Sequence, residues 1–202
     1  MQDQALLRLR HSLKMKNSSL NDRLKSIIRI AVMTALISAL SPLSIPIGVV
    51  PISLSTFIIM ISAFVLNPYE SLISVLMYIV LGAMGLPIFS SFTGGLSKLA
   101  SPTGGYIFGY LFIPLPFFFI KDRENVLLNI IALLIGNILL YILGTLWLKF
   151  FLDISTGKAL MIGAIPFIIT DLLKVVAVLA VGPVIYKTIN HNYNLIKLKK
   201  GN

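Results

Sequence analysis

One acidic side chain stands inside a long apolar run of this chain: Asp171, within the segment 159–186, with Lys174 three residues further on. On a helix that spacing places both groups on one face, and ionisable groups in hydrocarbon are costly enough to mark a functional site by default. Lysine brings three donors and aspartate two acceptor oxygens, so the pair can hold a small ligand that carries both acceptors and N–H donors. The plainer alternative is an ion pair that only pins the last helix to its neighbours. An acid–base enzyme is a third reading, but no metal-ligand set, nucleophile or second carboxylate accompanies the pair. The other acids, Asp3, Asp22, Glu70, Asp122, Glu124 and Asp153, fall in expected tails or loops.

In the segment 125–150, Asn137, Tyr141 and Gly144 fall at i, i+4 and i+7 and share one helix face. An amide and a phenol there should point toward protein rather than lipid, either lining the cavity around Asp171 or bonding between helices. Between the third and fourth apolar segments, Phe92-Thr93-Gly94-Gly95 and Pro102-Thr103-Gly104-Gly105 repeat a short pattern. Paired glycines allow positive φ and close backbone approach. This loop reads either as two tight turns or as a lid that brings Thr93, Gly94, Gly104, Gly105 and Tyr106 to a ligand. Trp147, near the outer end of its helix, suits an interfacial anchor.

The elements that must position these groups follow from composition. The 202 residues are 57% hydrophobic and 12% charged, and the mean hydropathy is +0.94, whereas soluble domains carry about 25% charged residues. Crossing ~30 Å of hydrocarbon takes about 20 apolar residues, and the polar breaks delimit six segments: 27–47, 50–66, 70–90, 103–120, 125–150 and 159–186. The expected fold is an all-α integral membrane protein, a six-helix bundle over 27–187, flanked by basic tails at 1–26 and 188–202. Pro46, Gly48 and Pro51 predict a broken or re-entrant start to the second segment. The N-terminal tail lacks the apolar core of a secretory signal; its Leu6, Leu9 and Leu13 could form an amphipathic face on anionic lipid, or the tail could be disordered.

With the N-terminus inside, thirteen Lys and Arg fall in cytoplasmic segments, three (Lys98, Lys149, Lys158) fall outside, and Lys174 completes the seventeen. That asymmetry predicts both termini on the cytoplasmic side of the cell membrane. The net charge of +10 therefore reads as membrane topology and not as a nucleic-acid footprint. There is no cysteine, and the two histidines, His11 and His191, lie in the terminal segments, so no metal or other cofactor is expected. No phosphate-binding Gly-x-x-x-x-Gly-Lys-Ser/Thr loop occurs, so any ATP-driven process needs another chain. A channel or scaffold subunit is a further alternative. The first segment carries Ala31 and Ala35, continued by Ser38 and Ala39, a stripe that lets another helix approach closely.

Taken together, Val50-Pro-Ile-Ser-Leu54, Leu81-Gly-Ala-Met-Gly-Leu-Pro87, Pro102-Thr-Gly-Gly-Tyr106, Tyr141-Ile-Leu-Gly-Thr-Leu-Trp147 and Asp171-Leu-Leu-Lys174 resemble the BioY family, the biotin-binding S components of energy-coupling factor (ECF) transporters. The resemblance runs from Ile27 to Val184. It implies a six-helix fold that binds biotin from outside and docks on a transmembrane T component driven by two ABC-type ATPases, with a related vitamin or precursor as the alternative ligand. It also assigns Asp171 and Lys174 to the ligand, Gly104 and Gly105 to the loop near it, and Ala31 and Ala35 to the T-component contact. The chain departs from the family's usual residues at Ser55 and Thr170, where Gln and Gly are common, and at Ser91-Phe92-Thr93, where a Gly-Gly pair is common.

Overall fold

The computed structural model describes the backbone of residues 2–120 and 125–199, and the side chains of 20–120 and 125–188. His11, His191, the leucines expected on an N-terminal face and residues 121–124 lie outside the described side chains. The element order is α1 (Gln2–Leu40), β1 (Ser44–Ile45), β2 (Ile52–Ser53), α2 (Ser55–Val65), α3 (Pro68–Ala83), α4 (Leu96–Leu99), α5 (Gly104–Gly109), α6 (Val126–Leu152), α7 (Thr156–Gly163) and α8 (Ile165–Lys199). Short 3₁₀ turns at Ser90–Phe92, Tyr110–Phe112 and Leu115–Phe119 complete it.

Two boundaries differ from expectation for local reasons. The first helix ends at Leu40 rather than 47, because Pro42 and Pro46 disfavour helix at the residues before them. The chain then forms an antiparallel hairpin pairing Ser44 with Ser53 and Ile45 with Ile52, turned through Gly48 at φ +109°. The fold is thus helical but not all-α, and the expected segment 50–66 divides into a strand and an 11-residue helix. The expected segment 103–120 divides likewise into α5 and two 3₁₀ turns, broken by Pro114 and Pro116. At the other end, α1 begins at Gln2 and passes the expected tail boundary at residue 26 unbroken.

Helix starts are capped where expected on chemical grounds. Asn67, ahead of Pro68 at the first position of α3, accepts from Tyr69 N at 3.2 Å; Asn125 does the same for Leu128 N at the start of α6, satisfying donors that would otherwise lack a partner. Among the described residues, Val126–Leu152 and Thr156–Thr188 are long and apolar enough to cross a bilayer, while Ser55–Val65, Pro68–Ala83 and Gly104–Phe119 are apolar but shorter. Their outer faces carry exposed Ile131, Ile135, Ile138, Ile169, Leu173 and Val176.

The core lies where α1 packs on α3, α2 on α8 and α5 on α6. Tyr78, Phe89, Ile37, Ile59, Phe117 and Leu133 are fully enclosed there, with Tyr78 and Phe89 edge to face at 5.4 Å. Glu70, expected in a loop, lies instead in the first turn of α3, buried, and accepts two bonds from Arg29 of α1 at 2.5 and 3.0 Å. One turn on, Ser74 O accepts from Thr34 Oγ1 at 3.3 Å. This clasp fixes the rotation of α1 about its axis. Breaking a buried pair costs about 3–5 kcal/mol, discounted here because the Arg29 side chain is 31% exposed. We expect Glu70→Leu to lower the thermal midpoint of the purified protein by several degrees, measured by a melting curve in detergent; an unchanged midpoint would mean the clasp carries no stability.

Candidate functional site

Asp171 is 5% exposed, deep in α8, where α8 packs on α2 and α6. Its Oδ1 accepts from Lys174 Nζ at 2.7 Å and from Thr56 Oγ1 at 3.3 Å, and its Oδ2 accepts from the Tyr141 hydroxyl at 2.5 Å. Lys174 Nζ donates further to Thr56 Oγ1 at 2.7 Å and to the Ser53 carbonyl at 3.0 Å. All three ammonium donors and both carboxylate oxygens therefore have partners, which is the condition for keeping such charges in a low-dielectric interior. Charge-assisted bonds of this kind are roughly twice as strong as neutral ones.

Four elements converge on the pair. Helix α8 supplies it, α6 supplies Tyr141, the first turn of α2 supplies Thr56, and β2 supplies the Ser53 carbonyl. Val50 and Pro51 from the hairpin, Tyr106 and Tyr110 from the α5 region, and Phe167 from α8 complete the walls of a cavity of about 40 Å³. On the other side of Asp171 and Tyr141, between α6 and α8, lies a mostly apolar cavity of about 220 Å³ that Asn137 also lines.

Of the residues expected at a ligand, Asp171, Lys174, Tyr141 and Tyr106 line the first cavity, and Asn137 lines the second. The Asn137 amide donates to Leu133 O at 2.8 Å within its own helix. Tyr106 is wedged tightly: its hydroxyl donates to Gly163 O at 2.8 Å, and its ring rests on Gly144, where any Cβ would overlap it. Thr93, Gly94, Gly104 and Gly105 line neither cavity. Gly95, at φ +88°, donates to Gly82 O at 2.7 Å and folds the loop back on the end of α3. Gly105 instead lets α5 approach α6 against Trp147. The Trp147 indole donates to Ser101 O at 2.9 Å, so it ties the loop to α6.

Sequence reasoning did not single out Thr56, Ser53, Val50, Pro51, Tyr110 or Phe167. The Val50–Leu54 run was noticed only as part of a pattern, and nothing local says that a strand carbonyl and a helix-start hydroxyl meet residues more than a hundred positions away. At the departures from the usual family residues, Ser55 bonds Ser53 (2.8 Å) and Thr170 donates to Phe167 O (2.9 Å), so both hydroxyls are satisfied inside the protein. On α1, Ala31 and Ala35 face outward, flanked by exposed Ile28, Val32 and Leu36, while Met33, Thr34 and Ile37 form the buried face.

A largely helical fold with two helices long and apolar enough to cross a bilayer, and with the Asp171 and Lys174 pair held inside by three other elements, is that of a membrane protein able to hold a small ligand. The match to known proteins is specific: residues 11–191 fit the BioY family, and the chain belongs to that family. It is 34% identical over 173 residues to biotin transporter BioY2 of Lactococcus lactis, covering 85% of this chain and 95% of that one. It is likewise 34% identical to biotin transporter BioY of Thermotoga maritima, covering 76% and 90%. A crystal structure of the S-component for biotin from an ECF-type ABC transporter superimposes with a TM-score of 0.75 at 31% identity, covering 84% of this chain and 93% of that one. These relatives are transporter components, not enzymes, which sets aside the acid–base alternative.

If Asp171 holds a ligand through N–H donors, replacing it with Asn removes a charged acceptor. We expect Asp171→Asn to weaken biotin binding by about 10- to 100-fold, the ~1.5–3 kcal/mol of a hydrogen bond to a charged group, without preventing membrane insertion. Titration calorimetry on purified variant and wild type checks this, and equal affinities would remove Asp171 from the site.

Proposed function

We propose that the chain is the high-affinity biotin-binding S component of an ECF-type vitamin-uptake transporter in the cell membrane. The single observation that carries this is the buried Asp171 and Lys174 pair under the hairpin, in a chain of this family. Biotin's cyclic urea presents two N–H donors and one carbonyl acceptor, the complement of a carboxylate beside an ammonium. The Asp171 oxygens accept the N–H groups and Lys174 donates to the carbonyl, with Tyr141 and Tyr106 beside the ring.

Because every group in the pair is already bonded, binding is an exchange and not a simple filling. The Tyr141 hydroxyl leaves Asp171 Oδ2, and Val50 and Pro51 in the cavity wall give way to the ligand. The hairpin is held to the 90–103 loop through Ser91 N, which donates to Ser44 Oγ at 2.9 Å and to Pro42 O at 3.1 Å. The expected glycine lid and the hairpin therefore move together. The loop glycines Gly94, Gly104 and Gly105, with Thr93, serve that motion by their packing.

We further propose six membrane crossings with both termini cytoplasmic, the basic tails 1–26 and 188–202 lying inside. The absence of native cysteine makes this directly measurable. A membrane-impermeant maleimide should label Lys98→Cys on intact cells and Lys187→Cys only after permeabilisation; the reverse pattern would invert the topology.

Transport energy comes from partners, a T component and two ABC-type ATPases. The outward stripe of Ala31 and Ala35 supports its assignment to the T-component contact, since small side chains let another helix approach closely without a polar group. Replacing both with Trp should leave biotin affinity unchanged and abolish co-purification with the T component; undiminished co-purification would exclude this face. Uptake of labelled biotin by cells lacking other biotin carriers should require this chain, the T component and ATP together, and uptake that needs no ATPase would contradict the proposed class.

A further inference from the structure

Resting on that reading, we propose that Thr56 is the positioning residue that decides which oxygen of Asp171 and which donor of Lys174 the ligand meets. A hydroxyl has one donor and two acceptor positions. Thr56 spends its donor on Asp171 Oδ1 at 3.3 Å and an acceptor position on Lys174 Nζ at 2.7 Å. No other side chain among the described residues is bonded to both members of the pair. Thr56 is 8% exposed and sits in the first turn of α2, the helix that packs on α8.

The consequence is a division of labour between the two carboxylate oxygens. Oδ1 carries two protein donors, Lys174 and Thr56, and Lys174 is held in turn by the Ser53 carbonyl. Oδ2 carries only the Tyr141 hydroxyl, from a side chain in the cavity wall. Oδ2 is therefore the oxygen that exchanges its partner for a ligand N–H, and the Tyr141 hydroxyl stands where that N–H will come. On the lysine side, Thr56 and the Ser53 carbonyl hold two ammonium donors toward α2 and β2, so the third, on Asp171 Oδ1, is the donor that turns to the ligand carbonyl. Thr56 lines the same cavity, and its hydroxyl acts through these two groups, on which its donor and an acceptor position are spent. Without its hydroxyl, Asp171 Oδ1 loses a donor, Lys174 loses an acceptor, and either group is free to turn away from the ligand.

The test is titration calorimetry on detergent-purified wild type, Thr56→Val and Thr56→Ser with biotin and with an analogue whose urea nitrogens are methylated. Thr56→Val keeps the shape and removes the hydroxyl, so biotin affinity should fall by about 10- to 100-fold, the range for hydrogen bonds to charged groups. Thr56→Ser should restore it to within a few-fold of wild type. The methylated analogue cannot donate to Asp171 but keeps the carbonyl that Lys174 meets, so its affinity should fall less than that of biotin from wild type to Thr56→Val, whereas a general loss of packing would weaken both equally. Should Thr56→Val fail to fold, Thr56→Ala against Thr56→Ser carries the same comparison. Wild-type affinity in the valine variant, or a serine variant as weak as the valine one, would overturn the assignment while leaving the proposed function standing. Failure of wild type to bind biotin would overturn the proposed function, and this assignment with it.

Discussion

A carboxylate paired with an ammonium inside an apolar stretch of helix is the constraint to which the rest of this structure answers. Neutralising Asp171 by Lys174 alone would leave one carboxylate oxygen and two ammonium donors exposed to a medium with nothing to offer them, at several kcal/mol each. The fold supplies the missing partners from three other elements. Helix α2 starts where its Thr56 hydroxyl reaches both charges, β2 ends with the Ser53 carbonyl on Lys174, and α6 is set so that Tyr141 reaches the remaining oxygen. The hairpin exposes Ile45, Ile47 and Val49 but turns the Ser53 carbonyl inward, where Lys174 uses it.

The same network is both closed and exchangeable, and this joins stability to function. A set of strong bonds satisfied without ligand keeps the empty protein folded. In the proposed binding mode, cyclic urea offers the same donor and acceptor types, so binding would swap partners at nearly constant bond number. Net affinity then comes from burying the ring and from geometry, and selectivity from the cost of leaving a buried charge unpaired when a ligand lacks one donor.

What was legible in the sequence followed from chemistry that is local. Asp171 and Lys174 stood out because charge in an apolar run is conspicuous, and the i, i+4, i+7 spacing brought Asn137, Tyr141 and Gly144 onto one face before any contact was known. Thr56 and Ser53 were not legible, because a hydroxyl or a backbone carbonyl gives no local sign of a partner 115 or 121 positions away. Glu70 misled for a related reason: at the edge of an apolar segment it looked like a loop residue, and only the packing of α1 on α3 brings Arg29 to it. Helix lengths were overestimated wherever hydrophobicity continued past prolines, as at 42–51 and 114–116, since hydropathy measures what a segment can bury and not whether its backbone stays helical. The outward face of α1 is the opposite case. The stripe was visible, but its direction became clear only once the Glu70 clasp set the rotation of the helix.

The account stands on one claim, that this closed pair opens to a single molecule of biotin. Titration calorimetry of biotin into detergent-purified, biotin-free wild-type protein tests it most directly. The expected result is one site per chain with nanomolar affinity, about 12 kcal/mol of binding free energy; no saturable heat, or affinity no better than millimolar, would contradict it.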